Sequence, residues 1–322
     1  MGFFDRFFGK EGPPGGDAAG LEEQAFAALQ RGEVDRAIEQ FDKARSLLEQ
    51  DGDPGKLTAV LHNLAMLLSQ RGQIALAMEH WQRALALQEQ GKVAMPQRLP
   101  LIAMMTQALS GTGQDEQAVA LWQRALADSA SHIDDRMAVY RAMIWWRWRQ
   151  DDRDGAHQYA RTMLGEAARV HDWYGVFAAL WHIGDKNLAE PAEAMSCLAQ
   201  AFWLVNQYSV AIPVEESIDV ALTLLDRVDQ ASSSAQVFAI MAMLIVQVRG
   251  QSHPRRQEFS AMVMRAALRC ALARGVPEDQ AINEILQSGG EAATRFESEL
   301  AGFITPSGWL FERTQIPGRG PA

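Results

Sequence analysis

The hydrophobic positions between residues 61 and 87 predict two helices joined by a tight turn. The first helix has apolar residues at the i, i+3, i+4, i+7 spacing of one helix face, at Leu61, Leu64, Ala65 and Leu68. The second helix carries on one face Ala77, Trp81, Ala84 and Leu87. Gly72 lies between the two helices and can adopt the backbone angles that end a helix. Because a single hairpin cannot bury its own apolar face, the pattern predicts neighbouring hairpins of the same kind.

The same order of small and aromatic residues occurs three times along the chain. A glycine is followed by an alanine five residues later, an aromatic residue four further on and a second alanine three beyond that. The three sets are Gly32, Ala37, Phe41 and Ala44; Gly72, Ala77, Trp81 and Ala84; and Gly113, Ala118, Trp122 and Ala125. This spacing resembles the tetratricopeptide repeat family. The resemblance implies an all-α, right-handed superhelical solenoid of stacked helix hairpins, with a concave groove in which partner peptides lie.

The distance between these repeats is longer than the basic period of the family. The three turn glycines are 40 and 41 residues apart, against about 34 residues in the basic repeat. The extra residues fall at 51–56 and 90–100. We therefore expect long loops between the hairpins, which resembles the longer-period members of the family.

The repeats divide the chain into four predicted segments. Residues 1–10 form a Phe-rich tip, 11–20 a flexible Gly/Pro linker, 21–304 the solenoid and 305–322 a C-terminal cap and tail. Repeats are clear over 21–130 and degenerate over 131–304, where the predicted helices are 137–149, 155–167, 172–183, 192–205, 214–228, 233–248, 256–273, 277–287 and 291–303. We expect Trp309, Leu310 and Phe311 to cover the last helices, since terminal repeats need a different outer face.

Charge and cysteine content restrict the compartment and the class of partner. The 322 residues carry a formal net charge of -10 at pH 7, which disfavours binding to nucleic acid. The two cysteines and the lack of a secretory pattern predict a reduced, cytoplasmic protein. The apolar run at 237–246 is too short for a membrane span, which takes roughly 20 residues. A basic stripe is interpreted as a solvated face; its residues are Arg255, Arg256, Arg265, Arg269 and Arg274.

No residue pattern indicates catalysis, a bound metal or a cofactor. Asp151, Asp152 and Asp154 with Gly155 resemble part of a calcium loop. Its first and twelfth positions, where acidic residues are needed, are occupied by Gln150 and Arg161. We interpret this stretch as a solvated turn. The 7 histidines contain no zinc-binding helical pair. The sequence therefore predicts a protein that is not an enzyme, and a site hidden in 214–303 is the least favoured alternative.

The richest cluster of binding-type residues lies on the predicted first helix of the fourth repeat. Alignment to the family implies that four of them face the concave groove, namely Arg141, Trp145, Trp148 and Arg149. Trp and Arg are frequent at binding hot spots, and Arg can hold a carboxylate through two parallel hydrogen bonds. Trp146 is assigned to the core, because three tryptophans within four positions cannot all face one stripe. The same alignment adds to the groove His62, Asn63, Met66 and Gln107.

Chaperone-binding members of the family hold a terminal carboxylate with a set of Lys and Asn residues. At the matching positions the chain has Glu22 and Phe26, and Asn63 alone agrees. Binding of that chaperone-tail type is therefore not expected. The groove is predicted to take a peptide or helix of another protein partner.

The N-terminal tip carries four phenylalanines, Phe3, Phe4, Phe7 and Phe8. One interpretation is that residues 2–9 dock at a membrane interface, which would place the protein at the inner face of the membrane. Others are that the tip binds a partner groove, fills a groove of its own chain or has no role. The leading prediction for the whole chain is a non-catalytic interaction scaffold. The alternative is a regulatory sensor whose solenoid changes curvature when a small peptide binds, and no oligomeric state is predicted.

Overall fold

The all-α fold class predicted from the repeats is confirmed. The computed structural model describes residues 18–51, 53–91, 95–130, 132–207, 212–228, 256–287, 298–304 and 308–312, together with Val237, Ala239 and Arg295. Thirteen α-helices are defined within these residues, and the described part of the chain contains no strand. Contacts divide the chain into two compact units, Met1–Ala142 and Met143–Ala322.

The first unit contains six complete helices and the beginning of a seventh. They are α1 (Ala18–Gln30), α2 (Val34–Asp51), α3 (Pro54–Gln70), α4 (Ile74–Gln90), α5 (Met95–Gly111) and α6 (Asp115–Asp128), followed by α7 (Ile133–Arg149). The second unit contains the end of α7 and six further helices. They are α8 (Arg153–Arg169), α9 (Trp173–Asp185), α10 (Pro191–Gln207), α11 (Val214–Arg227), α12 (Arg256–Ala273) and α13 (Glu278–Gln287).

Three helix hairpins of the first unit pack in chain order. α1 packs with α2, α3 with α4 and α5 with α6, while α2 also contacts α3 and α4 contacts α5. The alanines and aromatic residues of all three predicted repeats are buried. Each hairpin turns at a glycine with a φ of 75° or 76°, at Gly32, Gly72 and Gly113, and glycine adopts this conformation without steric cost. The three predicted hairpins are confirmed, and the handedness of a superhelix stays a prediction.

The prediction of long loops between the hairpins is wrong, because the extra residues lengthen the helices instead. The helices α2 to α5 contain 18, 17, 17 and 17 residues. Asp53 caps α3 by accepting hydrogen bonds from the backbone N–H groups of Gly55 and Lys56, each at 3.1 Å. Pro54 suits the first helical position, and α5 begins at Met95 and continues through Pro100. The first helix likewise begins at Ala18, inside the predicted linker.

The second unit continues the helix pairing with different turn residues. α9 packs against α8 and α10, α11 contacts both α9 and α10, and α12 packs against α13. The small and apolar residues predicted for its hairpins are buried, namely Ala156, Ala160, Met163, Ala194, Leu198 and Ala201. Its turns place Asp151, His171 and Asn187 at φ values of 58°, 60° and 50°. Because these three turns do not use glycine, the glycine-based pattern in the sequence fades after the third repeat. The turn between α12 and α13 again contains a glycine, Gly275, at a φ of 78°.

The C-terminal tail packs on the fifth hairpin, whereas we expected it to cover the last helices. Trp309 and Phe311 contact Trp203 of α10, with ring centroids 5.0 Å and 6.0 Å apart. Phe311 also contacts Trp173, the first residue of α9, at 6.3 Å. The sequence reveals that this segment is apolar, but it does not reveal which helices carry the aromatic surface that receives it.

The remaining helix predictions agree with the structure where the residues are described. α12 has the predicted bounds, and α11 and α13 differ from prediction by one residue at one end. Most of 233–248 and six residues of 291–303 lie outside the described residues, as do the tip and most of the linker. Among the helices that the structure describes, none is long and apolar enough to cross a membrane.

Candidate functional site

Three of the predicted groove residues on α7 lie in the second unit and are exposed. Trp145 is 48% exposed and Trp148 is 36% exposed, and Arg149 is also exposed. Trp146 is buried, as its position between the other two tryptophans predicted. Arg141 belongs to the first unit and is half-buried. The end of α7 therefore directs one tryptophan inward and two outward.

The ammonium group of Lys186 lies over the rings of both Trp145 and Trp148. Their ring centroids are 4.9 Å apart and their planes are inclined by 30°. The Nζ atom of Lys186 lies 5.0 Å from the ring centroid of Trp145 and 4.5 Å from that of Trp148. A cation over an aromatic ring gains about 0.5–1 kcal/mol at an exposed site and more where it is desolvated. The Lys186 side chain is 15% exposed and its Nζ lies 3.6 Å from Oδ2 of Asp185, so its charge is fixed beside the two rings.

The turn that carries Lys186 is held by an arginine at the end of α11. Arg227 donates a hydrogen bond from Nη1 to Oδ1 of Asn187 at 2.7 Å and another from Nη2 to the carbonyl oxygen of Asp185 at 3.1 Å. A guanidinium group is planar and rigid, so these two bonds restrain the residues on both sides of Lys186. The position of the ammonium group is therefore set jointly by α7, α9 and α11.

The C-terminal end of α7 is anchored by a separate set of contacts. The Nη1 atom of Arg147 lies 3.0 Å from Oδ2 of Asp152, and its Cζ atom lies 4.5 Å from the ring centroid of Trp146. Asp152 also caps α8 by accepting a hydrogen bond from the backbone N–H of Gly155 at 2.9 Å. These contacts join the end of α7 to the start of α8. The exposed tryptophans are thus presented from a helix end that is already held in place.

Arg149 adds a second cation to the same surface. Its Cζ atom lies 5.7 Å from the ring centroid of Trp145. Together, Trp145, Trp148, Arg149 and Lys186 form what we call the Trp145/Trp148 surface. Arg149 and Lys186 lie beside one carboxylate, that of Asp185, so these three groups sum to a positive charge, whereas the whole chain has a formal net charge of -10. Such a surface is complementary to a segment that carries a carboxylate next to an apolar side chain.

The predicted groove residues of the first unit lie on two contacting helices. His62, Asn63 and Met66 are half-buried on α3, and Gln107 is exposed on α5; α3 and α5 contact each other. Burial lowers the pKa of the His62 imidazole. On α1, burial raises the pKa of Glu22, and the charge of Lys56 acts against this shift. That these residues share one binding surface stays a prediction.

The described residues contain two buried cysteines, Cys197 and Cys270, and scattered His, Asp and Glu side chains. Within them, no group of three or more His, Cys, Asp or Glu side chains could hold a metal ion. The acidic stretch 151–154 contains the cap of α8, in agreement with its interpretation as a turn. Burial raises the pKa of the Cys197 thiol to about 12, and a thiol that remains protonated is a poor nucleophile. Phe3, Phe4, Phe7 and Phe8 lie outside the described residues.

Sequence reasoning missed Lys186 and the two residues that position it. Asp185 ends α9 and Lys186 begins the turn after it, 37 residues from Arg149. Arg227 is 40 residues beyond Asn187. The repeat pattern contains no signal for these positions, because the turn of the fifth hairpin is longer than the glycine turns of the first three. The spacing of Trp145 and Trp148 at i, i+3 is a signal that could have indicated a nearby cation, but it does not identify Lys186.

Comparisons with known proteins add little to this description. No family model matches the chain, and no curated protein matches it. Among solved structures the chain is similar to the TPR2AB domain of yeast Sti1 in complex with pHSP90, with 15% sequence identity over 89% of this chain and 98% of that chain and a TM-score of 0.31. At this TM-score the similarity supports no conclusion about the chain. The fold assignment rests on the helices and buried residues described above.

Proposed function

We propose that the protein is a non-catalytic interaction scaffold whose second unit binds an acidic peptide segment of a partner protein. The supporting observation is the Trp145/Trp148 surface, where two exposed tryptophans lie beside the cations of Arg149 and Lys186. A partner carboxylate would pair with Arg149, and an adjacent apolar side chain would cover the tryptophan rings. Tryptophan and arginine are the residues that most often dominate binding energy at protein interfaces.

The fixed position of Lys186 supports this proposal. Its ammonium group is already oriented by two rings, a carboxylate and the turn that Arg227 holds. A preorganised cation loses little conformational entropy when a partner binds, which favours affinity. Arg149 is the more accessible of the two cations and is therefore the better target for a test by substitution.

The proposal is tested by selecting random dodecapeptides on the purified protein and measuring the affinity of a selected peptide. We expect selected peptides to be rich in Asp and Glu next to an apolar residue. Arg149→Glu and Trp145→Ala should each weaken binding at least tenfold, which corresponds to about 1.4 kcal/mol. The melting temperature should change little, because both side chains are exposed.

Arg269→Glu provides the matched control, since it makes the same change of charge at an exposed arginine on α12. It should leave peptide affinity unchanged. Selection of basic peptides, or equal affinities for the wild type and Arg149→Glu, would contradict the proposal. If a selected peptide changes the radius of gyration in small-angle scattering, the alternative of a sensor that changes curvature is favoured over a rigid scaffold.

The Phe-rich tip is proposed as a second docking element, for a membrane interface or a partner groove. Each fully buried phenylalanine ring gains roughly 1.5–3 kcal/mol, which gives the four rings a strong tendency to leave water. Deleting residues 2–9 should abolish co-sedimentation with anionic liposomes and leave the melting temperature unchanged. A drop of several degrees in the melting temperature would show instead that the tip packs on its own chain. The cytoplasmic location stays a prediction.

A further inference from the structure

The outer face of α10 is buried, although the matching face of earlier second helices is exposed. Gln200 lies six residues after Ala194 on α10 and is fully buried. The residues six positions after the equivalent alanines of α2, α4, α6 and α8 are all exposed; they are Lys43, Arg83, Arg124 and Thr162. Ser196 on the same face of α10 is also fully buried. The outer face of the fifth hairpin is therefore buried, unlike the matching faces of the earlier hairpins.

The tail segment covers this face, and Gln200 recognises its backbone. The side-chain Nε2 of Gln200 donates to the carbonyl oxygen of Gly308 at 3.2 Å, and its Oε1 accepts from the backbone N–H of Leu310 at 2.8 Å. The Gln200 Nε2 also donates to the Ser196 hydroxyl at 3.2 Å, which holds the amide in this orientation. Gln200 thus bonds the peptide groups on both sides of Trp309, as the backbone of a neighbouring strand would.

Two aromatic side chains of the tail complete the contact. Trp309 and Phe311 are two residues apart and both pack against Trp203. Phe311 is 7% exposed, and it also contacts Trp173. Gly308, Trp309 and Leu310 remain half-buried. The recognised segment is therefore four residues long, 308–311. One side-chain amide binds its backbone, and its second and fourth residues are aromatic.

We propose that this outer face, formed by Trp173, Ser196, Gln200 and Trp203, is a binding site for an aromatic–aliphatic–aromatic peptide segment. The protein's own residues 308–311 occupy it in the resting state. A partner segment with this pattern displaces the tail and binds in its place. The site is separate from the Trp145/Trp148 surface, and its ligand is apolar where that surface favours an acidic one.

The observations favour a displaceable contact over a permanent part of the core. The described tail residues contribute two rings, of which Phe311 is buried and Trp309 half-buried, and two backbone hydrogen bonds to Gln200. A side-chain amide can make the same two bonds to any extended peptide. Since Gln200 bonds backbone atoms, only the aromatic positions impose sequence selectivity. A segment of the same chain competes with a free peptide as an intramolecular ligand, so the free peptide must exceed the effective concentration of the tail. The tail therefore acts as an intramolecular competitor.

The test uses the full-length chain with the tail rings removed by Trp309→Ser and Phe311→Ser. The probe is a fluorescein-labelled peptide with the sequence of residues 305–313, and binding is followed by fluorescence anisotropy. We expect this variant to bind the probe with a micromolar Kd and the wild type to bind it at least tenfold more weakly. Adding Gln200→Met, which removes the amide and keeps the side-chain size, should weaken binding by the variant at least tenfold.

Two further measurements separate this site from the proposed acidic-peptide surface. Adding Arg149→Glu to the tail variant should leave probe binding unchanged, and a probe with serine in place of both aromatic residues should not bind. Equal probe binding by the wild type and the tail variant would overturn the proposal, as would absence of binding by a tail variant that retains its helical circular dichroism. Loss of the helical signal in the tail variant would also overturn it, because the tail rings would then be part of the core.

Discussion

At the scale of single residues, some aromatic side chains are buried inside the hairpins and others are exposed to solvent. Trp81 and Trp122 are fully buried between the helices of their hairpins, whereas Trp145 and Trp148 are exposed. The sequence predicted both roles, the first from the repeat spacing and the second from the crowding of tryptophans on α7. Their partner Lys186 was not predictable, because it lies in an irregular turn distant in sequence.

Trp81→Ala should be strongly destabilising. The ring fills the space between α3 and α4 and is fully buried, so its removal leaves a cavity and should cost about 3–5 kcal/mol in the free energy of unfolding. Urea denaturation followed by circular dichroism measures this change. Leu76→Ala on the same helix is the matched control, since Leu76 is 42% exposed, and it should change stability by about 0.5 kcal/mol or less. Equal effects of the two substitutions would contradict the hairpin packing.

His62 should make stability depend on pH in a defined direction. Burial lowers its pKa in the folded protein, whereas in the unfolded chain it is about 6.5. The unfolded state therefore binds the proton more readily, and the free energy of unfolding falls as the pH drops below about 6.5. Between pH 7 and pH 5, His62→Gln should lose less stability than the wild type in urea denaturation. Equal losses of stability in the wild type and in His62→Gln would show that the His62 pKa is the same in the folded and unfolded states.

At the scale of helices, acidic caps followed by glycine explain two starts in the second unit. Asp152 and Asp172 each accept a hydrogen bond from the backbone N–H three residues later, of Gly155 and Gly175. A Cβ atom at either glycine would lie 2.4 Å from the aspartate Oδ2, so the Asp-x-x-Gly pattern fits these caps. The sequence showed this pattern, but at 152–155 it was compared with a calcium loop and interpreted only as a turn.

Asp172→Ala should destabilise the second unit through loss of the cap. The carboxylate accepts the N–H of Gly175 at 3.0 Å, and loss of such a cap costs about 0.5–2 kcal/mol. Asp172→Asn keeps an oxygen acceptor and should cost clearly less in the same urea denaturation. Equal destabilisation of the asparagine and alanine variants would contradict a stabilising role of this capping hydrogen bond.

Helix lengths were less predictable than helix positions. The sequence predicts loops at 51–56 and 90–100, yet α3 begins at Pro54 and α5 begins at Met95 and continues through Pro100. A proline is tolerated at the first position of a helix and is costly in its interior, so propensity alone does not locate these starts. Packing of α4 against α5 and of α2 against α3 supplies the stabilisation that local propensity lacks.

At the scale of the whole molecule, the repeat pattern predicted the first unit well and the second only in outline. The glycine turns of the first unit are visible in the sequence, while the first three turns of the second unit have Asp151, His171 and Asn187 at the position with positive φ. The fifth hairpin also departs from the repeats in its outer face, where Gln200 and Trp203 receive the tail. Such contacts join residues more than 100 positions apart, and no local pattern in one sequence encodes them.

The central claim is that an acidic partner peptide binds on Trp145 and Trp148, and fluorine NMR tests it most directly. The chain contains 9 tryptophans, which can be labelled as 5-fluorotryptophan, and the variants Trp145→Phe and Trp148→Phe assign the two resonances of interest. Titration with an acidic peptide chosen by the selection experiment should shift these two resonances and leave those of the buried Trp81 and Trp122 unchanged. Saturable binding that leaves the Trp145 and Trp148 resonances unmoved would contradict the account.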